Sequence, residues 1–286
     1  MNILKRLSYR RELRSLTSLL GLSGILRKWY YRWARPRDGI LRLRAGRIDA
    51  ALYIHTPEEL RFLESTGISE RHLLDLLVET VKPGDVVYDI GANVGFYTVP
   101  LAKAVGPQGK VIAFEPERTS YNHLQENLKL NGVTNVRSYC KALGDRNGEA
   151  KLYLGKVGNL SLLPPDTEGM SHEVVELVAG DGFRDAESLP LPRAVKIDVE
   201  GYEYAVLEGL RETLAQPLCD SVFCEIHPTM LPAEVNPGMV LALLESLGFT
   251  RIEKYPGWNV FHVAALKRDP ATRQVMTETS GFFILD

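Results

Sequence analysis

Cysteine is scarce in this chain: Cys140, Cys219 and Cys224 are the only three in 286 residues. An odd count without C-x-x-C spacing supports neither a disulfide framework nor a thiolate metal centre. Two of the three stand in apolar runs that read as buried strands, so reduced core thiols of a cytoplasmic protein are expected. Long apolar runs are missing too. The stretch from Ser15 to Leu26 has twelve residues and contains Gly21 and Gly24, whereas a spanning helix needs roughly 20. The adjoining residues, Arg27-Lys28-Trp29-Tyr30-Tyr31-Arg32-Trp33, are basic and aromatic and make no small-residue cleavage site of a secretory signal. Neither a membrane span nor secretion is expected. Internal repeats and low-complexity tracts are absent as well.

Acidic residues are nearly absent from the first 48 positions, where Glu12 and Asp38 face thirteen Lys or Arg. The whole chain carries −2, so a basic head is joined to an acidic body. We therefore divide the chain into a basic, partly helical extension over 1–48 and one α/β domain over 49–286. Cations interleaved with Trp and Tyr suit an anionic membrane surface, peripheral at the inner face. They suit a nucleic acid backbone less well, and a packed or solvated extension gives the same pattern.

From residue 70 onward, helical and strand periods alternate. Arg71 to Val81 puts Leu73, Leu74, Leu77 and Val78 on one face and stops at Lys82-Pro83-Gly84-Asp85. Strands are expected at 86–90, 110–115, 135–139, 194–199, 221–226, 249–253 and 260–265. Helices are expected over 94–105, 117–130 and 240–247. This alternation predicts a doubly wound, seven-stranded, mostly parallel α/β sheet of Rossmann-like type with ligands at the carboxyl ends of its strands. Residues 144–193 form an insert between the third and fourth strands, with strand-like 149–154 and 173–178. Such an insert can build a substrate wall, and Asn159 and Ser161 in its loop are candidates to touch substrate.

One absence inside the motif after the first strand is informative. Asp89-Ile90-Gly91-Ala92-Asn93-Val94-Gly95 has a carboxylate at the strand tip and two glycines, but Asn93 stands where the dinucleotide fingerprint has its middle glycine. A pyrophosphate is therefore disfavoured. A sulfonium amino acid needs acceptors for its ammonium, donors for its carboxylate and an acid for its ribose. Asp89 and the Gly91 carbonyl suit the first, the turn's N–H groups the second, and Glu115 at the tip of the second strand the third. These residues point to S-adenosylmethionine. A second cluster, Lys196-Ile197-Asp198-Val199-Glu200-Gly201-Tyr202-Glu203, puts three acids at the tip of the fourth strand. There Asp198 is the stronger candidate, and Glu203 reads equally as a solvated acid at a helix start.

At these residues the chain resembles the FkbM-type family of S-adenosylmethionine-dependent methyltransferases. The resemblance rests on residues 87–98, 113–116, 127–136, 142–145, 196–203 and 224–227, and covers about 80–265. It implies a class I methyltransferase fold over 49–286 and O-methylation of a hydroxyl on a sugar, lipid-linked or secondary-metabolite acceptor. It also implies cofactor contacts from Asp89, Gly91, Asn93, Gly95 and Glu115, with Ala142 and Leu143 near the adenine and Asp198 at the transfer site. The basic head lies outside it.

Removing a hydroxyl proton calls for a base. His227 after Cys224-Glu225-Ile226 is the candidate, since imidazole titrates near neutrality, with Asp198 or Glu200 as competitors. Asp198, Glu200, Glu225 and His227 could also gather a divalent cation such as Mg²⁺, though nothing in the spacing demands a metal. Two rival readings stand: a transfer-RNA or other RNA methyltransferase using the basic head, and a non-catalytic nucleoside-binding, membrane-recruited adaptor. Against the first, Asp198-Val199-Glu200-Gly201 replaces the Asn/Asp-Pro-Pro-aromatic motif usual for base amines.

Overall fold

The computed structural model describes residues 36–154, 160–162, 171–257 and 260–267, so the expectations for the head up to residue 35 and for Asn159 lie outside the described residues. Two strands open this part of the chain, β1 (Ile40–Ala45) and β2 (Ile48–Tyr53), paired antiparallel. The boundary expected at residue 48 thus cuts through a hairpin. Its sequence alternates Leu41 and Leu43 with Arg42 and Arg44, the period of a half-buried strand. Leu41, Ala45, Ala50 and Leu52 are buried, while Arg42 and Arg44 pair at the surface with Asp38 and Asp49. A count of charge assigns these arginines to the head, whereas their apolar neighbours anchor them to the body.

Helices α1 (Pro57–Ser69) and α2 (Arg71–Thr80) come next, the first capped by Thr56 and opened by Pro57. Then come β3 (Val86–Ile90), α3 (Thr98–Val105), β4 (Lys110–Phe114), α4 (Arg118–Leu130) and β5 (Val136–Tyr139). The insert region holds β6 (Ala142–Gly144), β7 (Gly148–Leu154), β8 (Leu160–Ser161), β9 (His172–Ala179) and α5 (Gly180–Ala186). The rest is β10 (Ala194–Ile197), α6 (Glu203–Gly209), α7 (Arg211–Ala215), β11 (Ser221–Ile226), α8 (Pro237–Ser246), β12 (Arg251–Pro256) and β13 (Phe261–Leu266).

Seven of these strands form one sheet in the order β12-β13-β11-β10-β3-β4-β5, in which β13 runs antiparallel to both neighbours. The other pairings are parallel, as the mostly parallel, doubly wound expectation required. Alternate residues of the central strands feed two cores: Val87 and Val111 pack with the hairpin and α1 to α4, and Tyr88 and Ile112 with the opposite face. Burial on both faces explains why these strands read as continuous apolar runs. The expected strands of the insert are realised as β7 and β9 of a separate four-stranded sheet, β6-β9-β7-β8. Among the described residues, no helix is long and apolar enough to cross a membrane.

Helix α4 stitches the hairpin to this sheet. Asn127 and Asn131 stand four apart, hence on one helical face. The Asn127 carboxamide oxygen accepts from Tyr53 N at 2.8 Å and its nitrogen donates to Val94 O at 2.8 Å. Asn131 accepts from Ala51 N at 3.0 Å and donates to Ala51 O at 2.6 Å. The two side chains thereby satisfy backbone groups of an edge strand.

Candidate active site

The turn after β3 is fixed by main-chain bonds. Gly91 N and Ala92 N both donate to Phe114 O, at 3.0 and 2.9 Å. Gly91 has φ 79°, and a Cβ there would lie 1.8 Å from the Asp198 carbonyl oxygen, so no other residue allows β10 to approach this closely. Asn93 also holds a left-handed φ of 49°, which Asn tolerates better than most residues. Its Oδ1 accepts from Val94 N at 2.7 Å, and its own N–H donates to Glu115 Oε2 at 2.8 Å. These positive φ values at Asn93 and Gly95 also explain why α3 starts at Thr98 rather than at the expected residue 94.

Glu115, at the end of β4, accepts a second main-chain bond from Glu117 N at 2.8 Å. Burial pushes its carboxyl up to about 7, against the pull of those two bonds. Gly95 has a packing role: a Cβ there would meet Leu124 Cδ1 at 2.8 Å. Asp89 lies wholly beneath the cleft floor, accepting from Thr98 Oγ1 at 2.5 Å and sitting 3.6 Å from Lys196 Nζ. Lys196 Nζ also donates to the Gly91 carbonyl at 2.9 Å. The acceptors expected to hold an ammonium group, Asp89 and Gly91 O, thus face the protein's own lysine.

That lysine joins the turn to the second cluster, since its Nζ stands 3.4 Å from Asp198 Oδ2. Burial opposes its charge, yet Asp198, Asp89, Glu70 and Glu225 hold it firmly protonated. A charged residue in the fully buried strand AVKI requires such partners, and that is the legible signal for Lys196. Glu70, at the junction of α1 and α2, accepts from Tyr97 Oη at 2.9 Å. No local pattern marks this residue.

His227 Nδ1 lies 2.7 Å from Glu203 Oε1, and its Nε2 lies 3.4 Å from Glu200 and 3.8 Å from Glu225. Glu203 is fully buried, which corrects its reading as a solvated acid: the same Oε1 accepts from Gly201 N at 2.9 Å. Burial opposes the imidazolium, but the Glu203 bond and the charges of Glu200, Glu203 and Asp198 raise His227 to about 10. Burial chiefly lifts the nearby acids: Glu70 to about 7, Glu200 to about 8 and Glu225 to about 9. The imidazole expected as a base is therefore a cation here, beside carboxyls poised near neutrality.

Both clusters open on one cleft of about 860 Å³, within the usual range for a ligand site. Of the residues expected at the site, Gly91, Asn93, Glu115, Ala142, Leu143, Asp198, Glu200 and His227 line it, while Asp89 and Gly95 do not. Leu152 and Leu162 bring the insert to its wall, and Phe62 and Glu70 bring the α1 side. Anchored Glu115, the Gly91 cradle and apolar Ala142 and Leu143 suit an adenosine group. Asp198, Glu200 and His227 each offer a donor atom within 4.8 Å of one another. As a metal centre the set fits poorly, because the cationic partners of its acids are Lys196 and His227 itself.

Over residues 89–251 the chain matches the family model described as Methyltransferase FkbM domain. It is similar to the hexuronic acid methyltransferase AglP of Haloferax volcanii, with 28% identity over 168 residues covering 58% of this chain and 66% of that protein, just under two thirds of its length. The 31-O-demethyl-FK506 methyltransferase FkbM of Streptomyces tacrolimicus is 28% identical over 244 residues, covering 72% and 90%. Methyltransferase 1 of Beauveria bassiana is 26% identical over 192 residues, covering 60% and 75%.

Proposed function

The chain belongs to the FkbM methyltransferase family and is an S-adenosylmethionine-dependent methyltransferase, and from that premise we propose that it O-methylates a hydroxyl of a neutral, polyhydroxylated acceptor, a sugar, lipid-linked glycan or secondary metabolite. The observation that carries this reading is the acceptor end of the cleft, where Glu70, Asp198, Glu200 and Glu225 surround the His227 cation. Ionised, as Glu200 must be to act as a base, these acids accept hydrogen bonds from hydroxyl groups and repel anions. Two relatives act by name on a hexuronic acid and on 31-O-demethyl-FK506; the wall of acids favours a neutral acceptor over a uronate.

S-adenosylmethionine supplies an electrophilic methyl group and a neutral leaving group. Glu115, fixed by its two main-chain bonds, would accept from the ribose hydroxyls of the bound cofactor, and Ala142 and Leu143 would cover its base. Asp198 accepts from the acceptor and orients it, which is much of what an in-line displacement needs. Glu200 takes the hydroxyl proton as the new oxygen–carbon bond forms. We assign this role to Glu200 rather than His227 because His227, bound to Glu203 at 2.7 Å, already carries its proton. His227 steadies the glutamate 3.4 Å away. The surplus of positive charge in residues 1–48 supports recruitment to an anionic surface that holds a lipid-linked acceptor.

Methyl-labelled cofactor offered with pools of neutral glycosides, uronates and transfer RNA tests the reading. Label should pass to an oxygen of a neutral glycoside or polyol. Transfer to RNA, or to uronates alone, would overturn it.

A further inference from the structure

His262 lines the cleft yet is only 1% exposed, and neither of its ring nitrogens makes a hydrogen bond. It belongs to β13, whose sequence FHVAAL is otherwise apolar. A buried imidazole with both nitrogens unpaired costs stability that an apolar side chain of similar size would not. Groups that break the rule in this way are kept at functional sites. Burial first, and then His72, push its pKa down to about 4 against the pull of Asp198, so the ring is neutral and offers one donor and one acceptor. Around it stand His72 of α2, with ring centroids 5.8 Å apart, and Tyr255, its partner in register on β12. Nε2 faces Gly257, whose Cβ would lie 3.2 Å away. On the other side its partner in register is Glu225 of β11, and antiparallel partners carry their side chains on the same face.

Glu225 stands between two imidazoles. Its Oε1 lies 3.8 Å from His227 Nε2, and its Oε2 lies 3.8 Å from His262 Nδ1. Burial, followed by Asp198 and Glu70, raises Glu225 to about 9, above the value of about 8 at Glu200. Glu225 thus keeps its proton where Glu200 has begun to lose its own. That proton cannot point at His227, which is charged and has only N–H groups to offer. His262 Nδ1 is the hydrogen-bond acceptor on the opposite side. We propose that His262 is a positioning residue for methyl transfer: by accepting the Glu225 O–H at Nδ1, it leaves the other carboxyl oxygen of Glu225 facing the cleft as a fixed partner for a second hydroxyl of the substrate. This rests on the reading of that end of the cleft as the seat of a hydroxylated substrate. At 3.8 Å the contact is about 1 Å longer than a hydrogen bond, and contacts of this kind tighten when substrate is bound. The substrate so favoured carries more than one hydroxyl, one for Glu200 to deprotonate and a neighbour to donate to Glu225. A group that can only accept, such as an ether, finds no donor there.

Two measurements on the full chain test this. Nitrogen NMR of the six histidines, without substrate, reads charge and tautomer, with His262→Asn to assign the signal. Expected is a His262 ring that stays neutral at mildly acidic pH, with its proton on Nε2 and a lone pair on Nδ1. The second measurement is methyl transfer from labelled S-adenosylmethionine. His262→Leu should lower kcat/KM for the methyl acceptor at least about tenfold, the worth of one hydrogen bond, mostly through KM. Affinity for S-adenosylmethionine should stay as it was, and the melting temperature should not fall, because an unpaired imidazole gives way to an apolar side chain. His262→Asn, whose carboxamide oxygen stands near the place of Nδ1, should recover most of the loss. In a Glu225→Leu background, His262→Leu should cost nothing further. The proposal is overturned if the His262 ring is charged or carries its proton on Nδ1. It is equally overturned if His262→Leu lowers the melting temperature and leaves kcat/KM intact, as a packing role would, or if its effect simply adds to that of Glu225→Leu. These ratios are taken on whichever acceptor receives label, so transfer to a uronate or to RNA overturns the proposed function and leaves the role of His262 to be read separately.

Discussion

The two ends of the cleft are built on different physics. The nucleoside end is a short piece of chain, Asp89 to Gly95, whose shape is set by main-chain bonds to Phe114 and Glu115 and by left-handed φ values at Gly91, Asn93 and Gly95. The acceptor end draws its residues from three stretches of chain, Glu70, then Lys196, Asp198 and Glu200, then Glu225 and His227, and its properties are those of a coupled set of charges. The first should respond to substitutions as a matter of fit. The second should respond as a matter of protonation. They meet where Gly91 lies against the Asp198 carbonyl.

Breaking that joint should have the largest effect. A methyl group at Gly91 would overlap the Asp198 carbonyl at 1.8 Å and sit on a residue with φ 79°. We expect Gly91→Ala to cost at least about 4 kcal/mol, on the order of 10 °C in melting temperature, and to abolish cofactor binding. Thermal unfolding and calorimetric titration with S-adenosylmethionine check both, and a stable variant that still binds would mean the turn can slide.

Next in size is Glu200→Gln, which should lower the methyl-transfer rate by roughly 10²–10⁴-fold, as loss of a general base does. Cofactor affinity should hardly change, so the two ends separate in one variant. Single-turnover rates with labelled cofactor measure this; loss of cofactor binding with the rate intact would reverse the assignment. At the other end, Glu115→Gln should weaken cofactor binding by about 10- to 100-fold, the range for one hydrogen bond to a charged group. The transfer rate at saturating cofactor should change far less.

The smallest and most diagnostic effect is on pH. A base at Glu200 must be ionised, so transfer should rise as pH passes about 8. Stability should run the other way. Glu200 is raised from 4.5 to about 8 and His227 from 6.5 to about 10; more protons are bound when folded, so stability present at low pH is lost as pH rises through those values. The melting temperature should therefore fall from about pH 4.5 to about pH 10, most steeply between about 6.5 and 8, where both groups hold protons that the unfolded chain has released. Glu203→Gln removes the hydrogen bond that keeps His227 charged and should move that fall to lower pH. A melting curve indifferent to pH in both proteins would show that these charges are uncoupled.

Much of the nucleoside end is legible in the sequence, because its parts are neighbours along the chain. The glycines, Asn93 and Glu115 carry their reasons in local backbone geometry and spacing, and the alternation of apolar runs orders the strands of the sheet. Other features are not local. Asp89 reads as a ligand-binding acid yet lies under the floor, because Lys196 arrives from a strand more than a hundred positions later. The hairpin over 40–53 is half hidden by its arginines, whose charge outweighs the alternation of their neighbours in a count over 48 residues.

Sequence alone determined the doubly wound sheet, the turn and the class of cofactor, because dihedral preference, periodicity and a strand-tip carboxylate act over a few residues. Only the tertiary structure decided the charge states at the acceptor end. Whether His227 is base or cation depends on Glu203, Glu200 and Asp198 together with burial. That sum runs over groups from different elements, and it has no value until the chain has folded.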